Sequence, residues 1–257
     1  VLQDGGNATD AIIAMAGVLA VVRPHMNGIG GDAFGIFYDG ETGEVTALNA
    51  SGRSGALATP EFFAAANIER IPGIGPMSVS VPGAVAGWVD AHERYGSMDF
   101  AGLLSTGIEY ARNGFAVSTR LAQDFEEQGG NLNEAGRDLY LPNAIAPPVG
   151  SLLRNPQLAN SLEIVADKGK EGFYNGSIAQ KLSAFITEQG GYLRQDDFES
   201  HTSSWVTPLR GEYLNHVFVV MPPNTQGITQ LALFEMAKSH DLNLICLLYT
   251  SPSPRDS

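Results

Sequence analysis

An arginine in a glycine-rich loop is a candidate for binding a small anionic substrate. Arg53 is the only cation between Arg23 and Arg70, and it lies in the segment 51–55 (SGRSG), directly after a strand-like run. A guanidinium presents a planar fork of N–H donors that matches a carboxylate. The spacing is equally compatible with a surface ion pair between Arg53 and a nearby Asp or Glu.

A second group of polar side chains lies in the segment 222–227 (PPNTQG). Asn224, Thr225 and Gln226 precede a predicted helix. Short polar side chains at that position can line a site, but they also cap helices by accepting from the first free N–H groups. Both interpretations remain open for this loop.

The glycines at 28, 30 and 31 do not form a phosphate-binding loop. Such a loop follows a strand and opens a helix, whereas these glycines follow a predicted helix and open a predicted strand. We expect a structural turn in which glycine allows backbone that a Cβ would forbid, with the lining of a site as the alternative.

No nucleophile–base pair can be assembled from the other reactive residues. The one cysteine is Cys246, and the chain lacks a Gly-x-Ser-x-Gly elbow. On a predicted helix, His92 is interpreted as part of a solvated face. The histidines show no metal-ligand spacing and are scattered at His25, His92, His201, His216 and His240.

The hydrophobic pattern predicts one α/β domain with a helical excursion at about 96–190. The segment 11–22 (AIIAMAGVLAVV) carries no charge, which predicts a helix buried nearly all round, with Gly17 allowing close approach of a neighbour. A core strand at 34–38 and a returning strand at 45–49 flank a turn at 39–44. Further elements are predicted as strands at 78–83, 206–213 and 216–221, and as helices at 84–95, 99–113, 118–128, 156–168, 176–189 and 228–240.

The composition excludes several classes of partner. The chain has 257 residues, 44% of them hydrophobic, and a formal net charge of −13 without any cluster of Lys or Arg. Nucleic acids and anionic membrane surfaces need a basic footprint, so neither is an expected partner. No apolar run reaches the roughly 20 residues of a spanning helix. A cytoplasmic, periplasmic or secreted location is left open.

Both ends of the sequence look unusual. The chain opens at Val1, inside a helix-entry loop, which predicts that the natural N-terminus is missing. The segment 244–257 has two Ser-Pro steps, no periodicity and the one cysteine. We interpret it as a non-native tail, with a natural disordered C-terminus as the alternative.

Five motifs, taken in order, resemble the large-subunit region of the gamma-glutamyltranspeptidases. The resemblance runs from about residue 3 to 243. The motifs that carry it are residues 5–11 (GGNATDA), 28–34 (GIGGDAF), 81–88 (VPGAVAGW), 111–115 (ARNGF) and 221–227 (MPPNTQG).

The resemblance implies a fold and a chemistry. It implies an N-terminal-nucleophile hydrolase with an αββα sandwich, of which residues 1–243 are a partial large subunit. Members are made as one precursor that cleaves itself, and the new N-terminal Thr of the small subunit attacks a γ-glutamyl amide such as glutathione. Water or an amino acid or peptide then takes the acyl group, without metal or organic cofactor. That Thr lies outside this chain, so the chain alone is expected to be inactive.

The substrate-binding arginine of the family is displaced in this sequence. Aligning 47–49 and 58–59 without a gap places Ser51 at the family's arginine, with Arg53 two residues later. Ser51 and Arg53 are therefore the predicted substrate-binding residues, and the pattern is more similar to a branch with cephalosporin-acylase-like and oxamate-amidohydrolase-like proteins. Hydrolysis of another small amide, or a non-catalytic scaffold chain, remain the alternatives.

Overall fold

The computed structural model describes residues 1–240, and 50% of these residues lie in helices and 12% in strands. The helices are α1 (Ala8–Val22), α2 (Pro60–Ala65), α3 (Ala84–Tyr95), α4 (Phe100–Asn113), α5 (Thr119–Gln128), α6 (Glu134–Tyr140), α7 (Pro156–Lys170), α8 (Ser177–Glu188), α9 (Gln195–Glu199) and α10 (Gly227–Ala237). The strands are β1 (Ala33–Tyr38), β2 (Val45–Ala50), β3 (Phe115–Ala116), β4 (Leu152–Leu153), β5 (Ser204–Val206), β6 (Leu209–Tyr213) and β7 (His216–Val220).

The chain separates into two units. The first comprises Val1–Ala33 and Ala50–Ser203, and the second comprises Phe34–Asn49 and the chain from Ser204 onward. Most of the predicted helices lie in the first unit, and α4 to α8 fill the predicted excursion at 96–190, together with the short antiparallel pair of β3 and β4. The predicted non-native tail lies outside the described residues.

Helix α1 begins at a reciprocal cap and crosses α4 closely. The Asn7 side chain accepts from the backbone N–H of Asp10, and the Asp10 carboxylate accepts from that of Asn7. A Cβ added at Gly17 would lie 2.9 Å from Leu104 Cδ2, and one at Gly107 would lie 2.7 Å from the Gly17 carbonyl oxygen. Small residues therefore set this crossing, as predicted for Gly17.

The prediction that α1 is buried nearly all round is wrong. Ile12 and Met15 are each 52% exposed and Leu19 is 37% exposed, whereas Ile13 is buried. These three exposed side chains recur three and four residues apart, so they form one stripe along the helix. Helix α1 packs on α3 and α4 with its other face.

No strand forms at 78–83, contrary to the prediction. The Val81 N–H donates to the carbonyl oxygen of Arg53 at 3.0 Å, and the Gly83 N–H donates to that of Gly31 at 2.9 Å. Pro82 has no N–H to offer to a ladder. The segment is therefore held by a loop and a turn rather than by a neighbouring strand.

The second unit is built from two small sheets and α10. Strand β2 lies between β1 and β5 and pairs antiparallel with β5, while β6 and β7 form a hairpin against which α10 packs. The strand predicted at 206–213 is divided into β5 and β6, because Pro208 cannot donate to a ladder. Strand β1, predicted as a core strand, has one exposed face. The side chains of Phe34, Ile36 and Tyr38 on that face are 42 to 70% exposed.

Candidate anion-binding site

Arg53 lies in the loop that follows β2, in the first unit. Its side chain is exposed, and among residues 1–240 its guanidinium forms neither a hydrogen bond nor an ion pair with another side chain. This geometry does not support the alternative of a surface ion pair with a local Asp or Glu. Within the described residues, the guanidinium is therefore exposed to solvent rather than paired.

Asp32 anchors the loop that carries Arg53. The Gly52 N–H donates to Asp32 Oδ1 at 2.9 Å, and Ser51 Oγ donates to Asp32 Oδ2 at 3.1 Å. Ser51 therefore bonds within the protein, which makes it a support for the loop. Sequence reasoning did not assign a role to Asp32, although it is the one charged residue of the turn at 28–34.

Backbone packing fixes the same loop from the other side. A Cβ at Gly52 would lie 1.5 Å from the carbonyl oxygen of Val81, and one at Gly83 would lie 2.0 Å from that of Ala50. Real Cβ atoms do not approach backbone so closely, so both positions require glycine. The loop and the segment at 81–83 therefore pack backbone against backbone.

The glycines that the sequence analysis singled out are not the constrained ones. A Cβ at Gly30 would meet no atom within 4 Å, and those at Gly28 and Gly31 would meet none closer than 3.8 Å. None of the three has left-handed φ. The expectation that they require glycine is wrong, although the segment does form a turn, which places Asp32.

Asp197 of α9 holds the far end of the loop. The Ala56 N–H donates to Asp197 Oδ1 at 2.7 Å, and a Cβ at Gly55 would lie 2.7 Å from Asp197 Oδ2. The same Oδ2 accepts from the N–H of Arg194 at 2.8 Å. With Asp32 at one end and Asp197 at the other, Arg53 extends from a loop that is fixed on both sides.

Buried Tyr174 hydrogen-bonds two backbone groups next to this loop. The Tyr174 hydroxyl donates to the Pro82 carbonyl oxygen at 2.7 Å and accepts from the Ala86 N–H at 3.1 Å. Burial raises the pKa of Tyr174, so the hydroxyl keeps its proton. Tyr174 belongs to a π-helical turn at Glu171–Asn175, which connects α7 to α8.

His201 lies beside this tyrosine, and the charge of Arg53 affects its pKa. Its ring stacks on the Tyr174 ring with centroids 5.1 Å apart and an interplanar angle of 27°. Burial lowers the pKa of His201, and the positive charge of Arg53 acts in the same direction, while Asp32 and Asp90 oppose them. The imidazole is therefore neutral at neutral pH. Sequence reasoning missed His201 because only tertiary folding brings it near Arg53.

Asp90 of α3 forms a second polar centre in the first unit. Lys170 Nζ lies 2.5 Å from Asp90 Oδ1, and the Ser203 hydroxyl donates to Asp90 Oδ2. Burial disfavours the charged Lys170, but Asp90 and Glu93 outweigh this and raise its pKa. Lysine and aspartate therefore remain an ion pair.

The loop at 222–227 behaves as a helix start. Thr225 Oγ1 accepts from the Gly227 N–H at 3.3 Å, at the first residue of α10. Asn224 Oδ1 accepts from Asn49 Nδ2 at 2.9 Å, within the second unit. Thr225 and Asn224 therefore brace the loop, while the N-cap residue Gln226 makes no side-chain cap bond.

Two other histidines, His92 and His25, have structural contacts. His92 Nε2 lies 2.7 Å from the Met98 carbonyl oxygen, so its assignment to a solvated face is wrong. His25 Nε2 lies 2.8 Å from Asp124 Oδ2. Within residues 1–240, no three His, Cys, Asp or Glu side chains are grouped so that they can hold a metal ion. No helix in that range is both long and apolar enough to cross a bilayer.

The fold is that of the N-terminal-nucleophile hydrolases. The chain superimposes on the crystal structure of gamma-glutamyltranspeptidase from Helicobacter pylori with a TM-score of 0.88 and 28% sequence identity, covering 98% of this chain and 73% of that chain. The chain belongs to the gamma-glutamyltranspeptidase family, whose family model matches residues 1–245.

Two curated relatives are named for different hydrolase activities. The chain is 34% identical over 247 residues to the glutathione hydrolase-like YwrD proenzyme of Bacillus subtilis, covering 95% of this chain and 47% of the relative. It is also 34% identical over 241 residues to the oxamate amidohydrolase proenzyme of Klebsiella pneumoniae, covering 91% of this chain and 45% of the relative. The chain spans about half the length of these relatives.

Proposed function

We propose that this chain is the large-subunit part of a gamma-glutamyltransferase-like enzyme that cleaves γ-glutamyl amides such as glutathione. The observation that carries the proposal is Arg53, an exposed guanidinium without an ion-pair partner among residues 1–240, on a loop fixed by Asp32 and Asp197. Family membership supplies the chemistry, and the fixed loop supplies a place for the α-carboxylate of the substrate.

The reaction needs a nucleophile from the remainder of the precursor. In the proposed mechanism, the hydroxyl of an N-terminal Thr adds to the γ-amide carbonyl while its own amine takes the proton. The C–N bond then breaks, the amine product leaves with that proton, and an acyl-threonine ester remains. Water hydrolyses the ester, or an acceptor amine takes the acyl group. Arg53 holds the substrate by its carboxylate throughout, without any metal or cofactor.

The partner of this chain is proposed to be the small subunit cut from the same precursor. Both curated relatives described above are named as proenzymes, and each is about twice as long as the part that this chain matches. The nucleophile and the donors that stabilise the oxyanion would come from that partner.

A second candidate function is hydrolysis of another small amide such as oxamate. It is favoured by Ser51, which stands where typical relatives have the substrate arginine, and by the 34% identity to an oxamate amidohydrolase proenzyme. Oxamate also carries a carboxylate beside its amide, so Arg53 can serve either substrate in the same way.

The two functions are separated by the product that the full-length precursor releases. We expect glutamate from glutathione, measured by an enzymatic glutamate assay, and a much lower rate of ammonia release from oxamate. Faster turnover of oxamate than of glutathione would reverse the assignment. Failure to cleave either substrate after self-processing would contradict both candidates.

A further inference from the structure

His201 has two ring nitrogens that the described protein does not use. Both Nδ1 and Nε2 are shielded from solvent, and neither has a hydrogen-bond partner among residues 1–240. Buried polar atoms without partners cost stability, and each one in a native protein calls for an explanation. The ring cannot turn away easily, because one of its faces lies on Tyr174, which is itself bonded to Pro82 and Ala86.

The charges that act on the pKa of His201 come from several elements and differ in sign. Arg53 of the loop after β2 lowers it, whereas Asp32 of the turn before β1 and Asp90 of α3 raise it. Asp32 is bonded to Gly52 and Ser51, and Asp90 is bonded to Lys170 and Ser203, so both carboxylates are held in place. The Tyr174 hydroxyl keeps its proton and adds no charge.

This arrangement makes the charge on His201 depend on what Arg53 binds. In the free protein, burial and the Arg53 cation disfavour protonation of the imidazole. A carboxylate bound to Arg53 cancels that cation, while Asp32 and Asp90 remain as favourable negative neighbours. Binding and protonation must then favour each other, because the coupling between two equilibria is reciprocal.

We propose that His201 is a second, titratable member of the Arg53 site, which takes up a proton when a carboxylate binds and thereby selects for anionic ligands. This inference deepens the proposed function and rests on it, since it names the ligand chemistry of the same site. The affinity for a carboxylate rises as the pH falls through the range in which His201 titrates. A neutral amide in the same place receives no such gain.

The test follows the imidazole itself by NMR in the 257-residue chain. The midpoint of the His201 titration is measured with and without L-glutamate, at ionic strength held constant with chloride. We expect L-glutamate to raise the midpoint by about one pH unit, which corresponds to about tenfold tighter binding to the protonated form. Exposed His216 in the second unit serves as the internal control, and L-glutamate should leave its NMR signal unchanged.

An Arg53→Met variant separates the coupling from the function. It retains an unbranched side chain without the charge, so the midpoint of the His201 titration should rise even without ligand. Addition of L-glutamate should then leave that midpoint unchanged. If L-glutamate binds saturably to the wild-type chain and the midpoint stays fixed, the inference is overturned while the carboxylate site stands. If the Arg53→Met variant raises the midpoint but L-glutamate does not bind at any pH, the carboxylate site itself is contradicted.

Discussion

Among single residues, Arg53 is the one on which the proposed substrate binding rests. In the first unit, the side chains of Lys170, Arg120 and Arg112 form ion pairs. Their partners are Asp90, Asp124 and Glu163, respectively. Arg53 forms no such pair within the described residues. Because the loop backbone is fixed, binding has to order only the Arg53 side chain, and its planar fork of donors matches a carboxylate.

Replacement of Arg53 by alanine in the full-length precursor should raise KM for γ-glutamyl substrates by roughly tenfold to a hundredfold. A charge-assisted bond contributes about 1.5 to 3 kcal/mol, and it is made equally in the ground state and the transition state. The rate constant kcat should change little. Arg70→Ala removes an exposed arginine outside the loop and is the matched control. An unchanged KM for Arg53→Ala would show that Arg53 has no contact with substrate.

At the scale of elements, the loop after β2 depends on close backbone contacts that no side chain can accommodate. Gly52 and Gly83 face the carbonyl oxygens of Val81 and Ala50. The glycines of the preceding turn, at 28, 30 and 31, have open space instead. The sequence cannot distinguish these two sets, because the close approach arises only when distant segments pack together.

Gly52→Ala should therefore destabilise the chain, and Gly30→Ala should not. A Cβ that meets backbone must displace it, which costs at least the roughly 1 to 3 kcal/mol of an overpacked core. Each kcal/mol lowers Tm by about 2 to 4 °C in a protein of this size. Thermal unfolding followed by circular dichroism should show a fall of several degrees for Gly52→Ala. Equal Tm values for the two variants would contradict the packing described here.

The cap of α1 should make stability depend on acid pH. Burial would raise the pKa of Asp10, but hydrogen bonds from Ser97 and from the backbone of Asn7 and Met98 lower it from 3.8 to about 2. Since the folded-state pKa lies below the unfolded one, this stabilisation is complete above about pH 4 and is lost as the pH falls through 2.

Urea unfolding between pH 5 and 2 measures this contribution of Asp10. The free energy of unfolding should fall more steeply with acid in the wild-type chain than in Asp10→Asn, which cannot titrate at that position. Asp39→Asn removes a carboxylate that accepts from the backbone of Glu41 and Thr42 in an exposed turn. These bonds lower the pKa of Asp39 as well, but Asp39 is exposed and solvent screens its charge, so the Asp39→Asn profile should lie closer to that of the wild-type chain than the Asp10→Asn profile does. Parallel wild-type and Asp10→Asn profiles would contradict the role assigned to Asp10.

Across the whole molecule, hydrophobic patterns and flanking glycines predicted most helices and strands, whereas the residues of the candidate site could be found only from tertiary contacts. Helix α3 has the predicted bounds, because Gly83 and Gly96 flank it. The strand expected at 78–83 is absent, because its donors go to Arg53 and Gly31. Asp32 and His201 could not be assigned from spacing, since they lie 21 and 148 positions from Arg53 in the sequence. Only the fold brings Asp32 to the loop of Arg53 and places His201 where the charge of Arg53 lowers its pKa.

The proposed function makes this chain the non-nucleophilic part of an enzyme that cleaves γ-glutamyl amides. Release of p-nitroaniline from a γ-glutamyl anilide tests it most directly, with the 257-residue chain and the full-length precursor assayed side by side. We predict turnover by the self-processed precursor and none by the chain alone. Turnover by the chain alone, or an inactive precursor that has cleaved itself, would contradict the account.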